Sequence, residues 1–155
     1  MSAIFDFEML QDFYRGLSDN LAQIKAILKR PLSYTEKILF LHASKAVLSG
    51  PLLRGETYTF FHPDRVAMQD ATAQMAVLQF MQAGRHKVAV PSTIHCDHLI
   101  QAKIGAEADL EIAMDSNGEV YNFLASAAKK YGMGFWQAGS GIIHQVVLEN
   151  YAFPG

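Results

Sequence analysis

The chain has one cysteine in 155 residues, Cys96, so it cannot form an intramolecular disulfide, which fits a reducing compartment. Positive charge is not in excess either. Thirteen Lys and Arg against 15 Asp and Glu leave a formal net charge of -2, and phosphate recognition usually shows a basic surplus, so a nucleic-acid partner is not expected. No apolar run approaches the roughly 20 residues that a membrane-spanning helix needs, so no membrane partner is expected. Repeats and low-complexity tracts are missing too. Met1 to Glu8 carries neither an Arg/Ser-rich amphipathic leader nor a signal-peptide pattern. Together these absences lead to the expectation of a cytoplasmic protein. What remains is core material: 50% of residues are apolar and 18% charged, enough for one folded domain over 1–155.

Periodicity divides that domain into elements. Leu10, Phe13, Tyr14, Leu17, Leu21, Ile24 and Leu28 follow helical spacing, so residues 1–30 read as a helical segment, one helix or two joined near Gly16. Pro31 ends it. Ser33 followed by Glu36 is a capping box, which opens a second helix through Ile38 and Leu41 that stops by Gly50-Pro51. Residues 58–61 alternate as a short strand does, and residues 65–68 are a second strand candidate. Asp70 or Thr72 could then cap a helix ending at Gly84, with Met75, Leu78, Phe80 and Met81 in the core. Val88-Ala89-Val90 suits a buried parallel strand. A long helix over 107–131 follows, with Leu110, Met114, Tyr121, Leu124 and Ala128 on one side and Gly118 weakening its middle. Gly132, Gly134, Gly139 and Gly141 lead to a short helix from Ile142. Strands alternating with helices predict an α/β class with a layered α/β/α arrangement and a mostly parallel sheet, preceded by N-terminal helices.

The densest polar cluster is His95-Cys96-Asp97-His98, just after the Val88–Val90 run. Ligands of open α/β sheets sit beyond the carboxyl ends of strands, which is where this cluster falls. A carboxylate beside a histidine stabilises imidazolium and makes it a usable proton donor near neutral pH. Neighbouring side chains in extended chain point to opposite faces, so Asp97 and His98 can pair only across a turn. A polar loop without chemistry is the plain alternative. A metal site of His95, Cys96 and His98 is disfavoured because such close spacing supplies few ligands at workable angles. His144 follows Gly139-Ser140-Gly141, and a helix starting at Ile142 would aim backbone N–H groups at an anion. By itself His144 reads as a hydrogen-bonded structural histidine, and Gln69-Asp70 as a helix cap.

Three segments together resemble one family. RVAMQDATAQ at 65–74, VAVPSTIHCDHL at 88–99 and GFWQAGSGIIHQVVLENYAFPG at 134–155 are similar, in this order, to motifs of the first domain of mitochondrial-type aconitases. The similarity runs almost unbroken from near Arg30 to the end, with an N-terminus also similar to bacterial members. Homoaconitases and isopropylmalate isomerases share the fold and are less similar in these words. The resemblance implies a hydro-lyase acting on citrate, cis-aconitate and isocitrate, with a [4Fe–4S] cluster whose iron acts as Lewis acid on the hydroxyl. It implies that Gln69 binds substrate, that Asp97 and His98 handle the hydroxyl's proton, and that His144 is a second active-site histidine. The place of Cys96 is not that of a cluster ligand. The family's cluster cysteines, serine base, carboxylate-binding arginines and Gly-Thr-Asp-Ser-His-Thr motif would lie downstream.

The expectation is therefore an N-terminal piece of an aconitate hydratase, inactive and without a cluster by itself, and prone to self-association through apolar surface that later domains would cover. For a eukaryotic source the location would be the mitochondrial matrix. A stand-alone binding or assembly module derived from this domain is the alternative. A small hydrolase using Asp97, His98 and His144 lacks an evident nucleophile.

Overall fold

In the computed structural model, which describes residues 5–44, 50 and 52–154, the first apolar stripe forms one helix, α1 (Phe7–Leu28), continuous through Gly16. It ends ahead of Pro31, where Lys29 turns left-handed with φ 50° and donates its N–H to the Lys25 carbonyl. Ser33 opens α2 (Tyr34–Leu41) with the expected capping box: Glu36 N–H donates to Ser33 Oγ at 3.2 Å, and Ser33 N–H donates to Glu36 Oε2 at 2.9 Å. Arg30 donates to the other Glu36 oxygen at 2.7 Å. The Arg30 hydrogen bond first, then the Ser33 amide, hold the Glu36 carboxyl down at about 2.

α2 stops well short of Gly50-Pro51, and residues 45–49 and 51 lie outside the described residues. The strand expected at 58–61 does not form. Phe61 makes one isolated antiparallel bridge with Ala43, flanked by Ser44 N–H on the Phe60 carbonyl and His62 N–H on the His42 carbonyl. A lone bridge gives alternating side chains no sheet face to cover, and Tyr58 and Phe60 stay exposed. Met1–Pro63 with Phe153–Gly155 is one compact unit and Asp64–Ala152 a second. The helical part thus extends beyond residue 30, because α2 packs on α1 around Ile24, Phe40 and Ala43.

The second unit runs β1 (Val66–Gln69), α3 (Asp70–Gln82), β2 (Ser92–His95), α4 (Ala106–Tyr131), β3 (Gly134–Trp136), α5 (Ile143–Asn150). The sheet order is β1-β2-β3 and both pairings are parallel, as the α/β reading expects. α3 and α4 pack on each other and on the strands. Ala73, Val77, Ile94, Cys96, Tyr121, Leu124 and Ala128 form the core between them.

The middle strand is not the apolar Val88–Val90 run but Ser92–His95, after Pro91. All four residues are buried: Ser92 Oγ donates to the Val90 carbonyl at 3.0 Å and Thr93 Oγ1 lies 2.9 Å from His95 Nε2, whereas His95 Nδ1 is buried with no hydrogen-bond partner among the described residues. β3 escaped the sequence reading because it is three residues long and starts with glycine. That glycine lies close to its neighbour strand: a Cβ on Gly134 would meet Thr93 Cγ2 at 3.0 Å, so the Thr93 side chain would have to give way.

On α3 the inward face is Ala73 and Val77, with Phe80 packed beside them, whereas Met75, Leu78 and Met81 point outward. The expected core positions 75, 78 and 81 are thus on the wrong side; a helix apolar all round does not reveal its buried face. α4 breaks at Asn117 (φ -121°, ψ 15°), beside Gly118, and Ala113 rather than Met114 is buried in its first half.

Candidate active site

β1 and β2 end in register, Gln69 opposite His95, and β3 ends with Trp136 opposite His95. His95 is fully buried, and its ring stacks parallel on Trp136 at 6.1 Å between centroids. Burial, first, keeps its imidazole below the ordinary 6.5; nearby Asp97 opposes this and Arg65 adds to it. Cys96 still pairs with β3, donating its N–H to the Trp136 carbonyl at 3.0 Å. The chain then turns at His98, and this turn allows the neighbours to meet: Asp97 Oδ1 lies 2.8 Å from His98 Nδ1.

The Asp97 side chain is 7% exposed and that of His98 40%. The carboxylate accepts only, so His98 carries a proton on Nδ1, and Nε2 takes no part in this bond. The second Asp97 oxygen reaches across 46 positions of sequence and accepts the Ile143 N–H at 2.7 Å. Ile142 is the N-cap of α5 and makes no side-chain cap hydrogen bond. The anion expected at this helix start is thus the Asp97 carboxylate, placed where exposed N–H groups and the helix dipole favour negative charge. This single carboxylate joins the second motif to the third.

Gln69 and Asp70 behave differently from a simple cap. Gln69 is the N-cap of α3 and its side chain makes no cap bond. Asp70, the first residue of the helix, is fully buried. Its Oδ1 accepts the Ala71 N–H at 2.8 Å, and its Oδ2 accepts the Leu99 N–H at 3.2 Å. His144 lies on the first turn of α5 and is exposed. The carboxyl end of β1 therefore carries Gln69, the turn after β2 carries Asp97 and His98, and the Asp97–Ile143 bond brings the α5 segment bearing His144 to that turn. Sequence reading missed Asp70 as a long-range acceptor and Asn117 as a donor to the Leu99 carbonyl, at 3.5 Å. The Asn117–Gly118 step was visible only as a helix weakness.

One oxygen each of Asp70 and Asp97 and a nitrogen of His98 come within 4.8 Å of one another, a grouping that among the described residues could hold a metal ion. Each of the four carboxylate oxygens already accepts one N–H, so the loop and both helices use these carboxylates as hydrogen-bond acceptors. The set His95, Cys96, His98 does not form such a group. An iron–sulfur cluster fits this chain no better. It requires thiolates, whereas the chain has one cysteine, 2% exposed, with its thiol pushed up to about 12 by burial and by Asp70 and Asp97 nearby.

The chain is 54% identical, over all of its length, to "Aconitate hydratase, mitochondrial" of Gracilaria gracilis. It is 56% and 58% identical, over 92% of its length, to proteins of the same name in Emericella nidulans and Saccharomyces cerevisiae. It spans 18–20% of the length of these relatives. The family model described as "Aconitase family (aconitate hydratase)" matches residues 36–155, which takes in α3 with its preceding strand, the Asp97–His98 turn and α5. With that match and relatives at more than half identity, the chain belongs to the aconitase family.

Proposed function

We propose that this chain forms one wall of the active site of an aconitate hydratase, which moves water between citrate, cis-aconitate and isocitrate. The observation that carries the proposal is the Asp97 carboxylate shared between His98 Nδ1 and the Ile143 amide. Dehydration needs a proton delivered to the departing hydroxyl, and hydration needs it withdrawn. His98, held by Asp97 through Nδ1–H, takes a proton at Nε2 in hydration, and as the imidazolium so formed delivers that proton from Nε2 in dehydration. Gln69, at the end of β1, serves as a hydrogen-bonding partner for substrate, and His144 as a second histidine at the start of α5. The family's [4Fe–4S] cluster would polarise the substrate hydroxyl. The residues of this chain, with one buried cysteine, do not fit that cluster.

The same reading implies that the 155 residues alone do not turn over substrate. It also implies that they associate with themselves through apolar surface such as the outer face of α3, where Met75 and Leu78 are exposed. The relatives' names say mitochondrial, which supports a mitochondrial location for a eukaryotic source, read here as the matrix; the cytoplasm would serve in a source without mitochondria. No described helix is long and apolar enough to cross a membrane.

The experiment is to express the gene through to its own stop codon, reconstitute the product anaerobically with iron and sulfide, and follow cis-aconitate consumption. The 155-residue chain is treated alongside, with light scattering for association. Turnover by the full product and none by the short chain is expected. A loaded full product without turnover, or a stoichiometric cluster on the short chain, would sink the reading. Inactivity of the full product would favour the binding-module alternative.

A further inference from the structure

The His98 ring is 40% exposed, so packing alone cannot aim it. Its direction depends on how the residues on either side are held. On one side Asp97 is fixed by the Ile143 amide. On the other, Leu99 is held through both of its backbone groups, one in the peptide that joins it to His98 and one in the peptide after it. Its N–H donates to Asp70 Oδ2 at 3.2 Å, and its carbonyl faces Asn117 Nδ2 at 3.5 Å. The first is an ordinary hydrogen bond; the second is long and correspondingly weak.

Asp70 is costly for a residue that only starts a helix. A Ser or Thr one position earlier would satisfy the N-terminal amides of α3 without burying a charge. Asp70 is fully buried, and its two oxygens are divided between its own helix, through Ala71, and a loop 29 positions away, through Leu99. Asn117 supplies its contact from the one non-helical residue inside α4. Two elements thus converge on the two backbone groups of the single residue that follows His98. We infer that Asp70 is a positioning residue that aims His98 by fixing the His98–Leu99 peptide, with Asn117 in a lesser part through the peptide that follows Leu99. The inference rests on the proposed role of His98 as proton donor.

Asp70→Asn keeps the size but replaces one acceptor oxygen by an NH2, which must face either the Ala71 or the Leu99 N–H. The Leu99 bond is the longer of the two and should be the one lost. Two readouts apply. In the 155-residue chain labelled with ¹⁵N-histidine, His98 should change from a single Nδ1–H tautomer to a mixture. In the full-length enzyme, kcat normalised to folded, cluster-loaded protein should fall about 10²-fold, the cost of misplacing a reacting group by about 1 Å. KM should change far less, because the aim of the donor matters in the transition state. Asn117→Ala should shift both readouts in the same direction by a smaller factor.

An Asp70→Asn chain that folds with the wild-type tautomer and normalised kcat would overturn the inference. So would a loss of rate that disappears on normalisation, since that is a purely structural effect. If Asp70→Asn does not fold, Asn117→Ala decides: an unchanged tautomer and rate there overturn it. A wild-type full-length enzyme without turnover would instead refute the proposed function, and the tautomer readout would still judge the clamp.

Discussion

Asp97→Asn asks the most of the proposed site. Both carboxylate oxygens accept, one from His98 at 2.8 Å and one from Ile143 at 2.7 Å, and asparagine keeps only one acceptor. If its NH2 faced Ile143, two donors would oppose each other and the first amide of α5 would lose its partner, a penalty of about 1–3 kcal/mol. If its oxygen stays on Ile143, the NH2 donates to His98 Nδ1, and the cost is mainly the exchange of charge-assisted hydrogen bonds for neutral ones, about 1 kcal/mol. The second arrangement is cheaper and should prevail. It forces the imidazole to carry its proton on Nε2, the opposite tautomer. Histidine ¹⁵N spectra of the variant should therefore show inversion at His98, while urea unfolding shows a loss of only about 1–2 kcal/mol. In the full-length enzyme kcat should drop by about 10²–10⁴, the usual worth of general acid–base catalysis. His98→Asn should cost a similar factor, and the double variant no more than either, because the two act as one unit. KM should move less than kcat. An unchanged Nδ1–H tautomer in Asp97→Asn, or additive losses in the double variant, would show that the pair only shapes the loop.

Ile94→Ala, in the fully buried middle strand, should cost about 2–5 kcal/mol in urea unfolding, whereas Met75→Ala, at a residue 63% exposed, should stay within about 0.5 kcal/mol. Gly134→Ala should destabilise by about 1–3 kcal/mol by overpacking against Thr93 Cγ2, and Thr93→Ser should recover part of this while keeping the hydroxyl on His95. Urea midpoints should also depend on pH through His95. Its folded value is depressed by burial, so the unfolded chain binds the proton first; the stabilisation is whole above about 6.5 and lost as pH falls towards the folded value. His95→Gln should flatten that slope, and an unchanged slope would refute the assignment.

What could be read from the sequence was whatever neighbours settle among themselves. The Ser33–Glu36 box lies within one turn, and it forms as written. The α1 stripe, the β1 segment and the Gly84 stop (φ 66°) of α3 follow from periodicity and from the backbone freedom of glycine. Asp97 beside His98 could be seen as a pair that needed a turn, and the turn is there.

Tertiary structure decided the rest. A strand reading Ser-Thr-Ile-His looks like a loop until its side chains find Val90, each other and Trp136 to satisfy or stack on them. α3, with apolar residues around its circumference, did not disclose which face would meet β2 and α4. The Tyr58–Phe61 alternation met no sheet to join. The bonds that gather the site, Asp70 to Leu99 across 29 positions and Asp97 to Ile143 across 46, leave no periodic trace, because a carboxylate accepts any amide that the fold brings within reach. The residue types needed at the site were present in the sequence, while their number of partners and their aim came only from the packing of separate segments against one sheet edge.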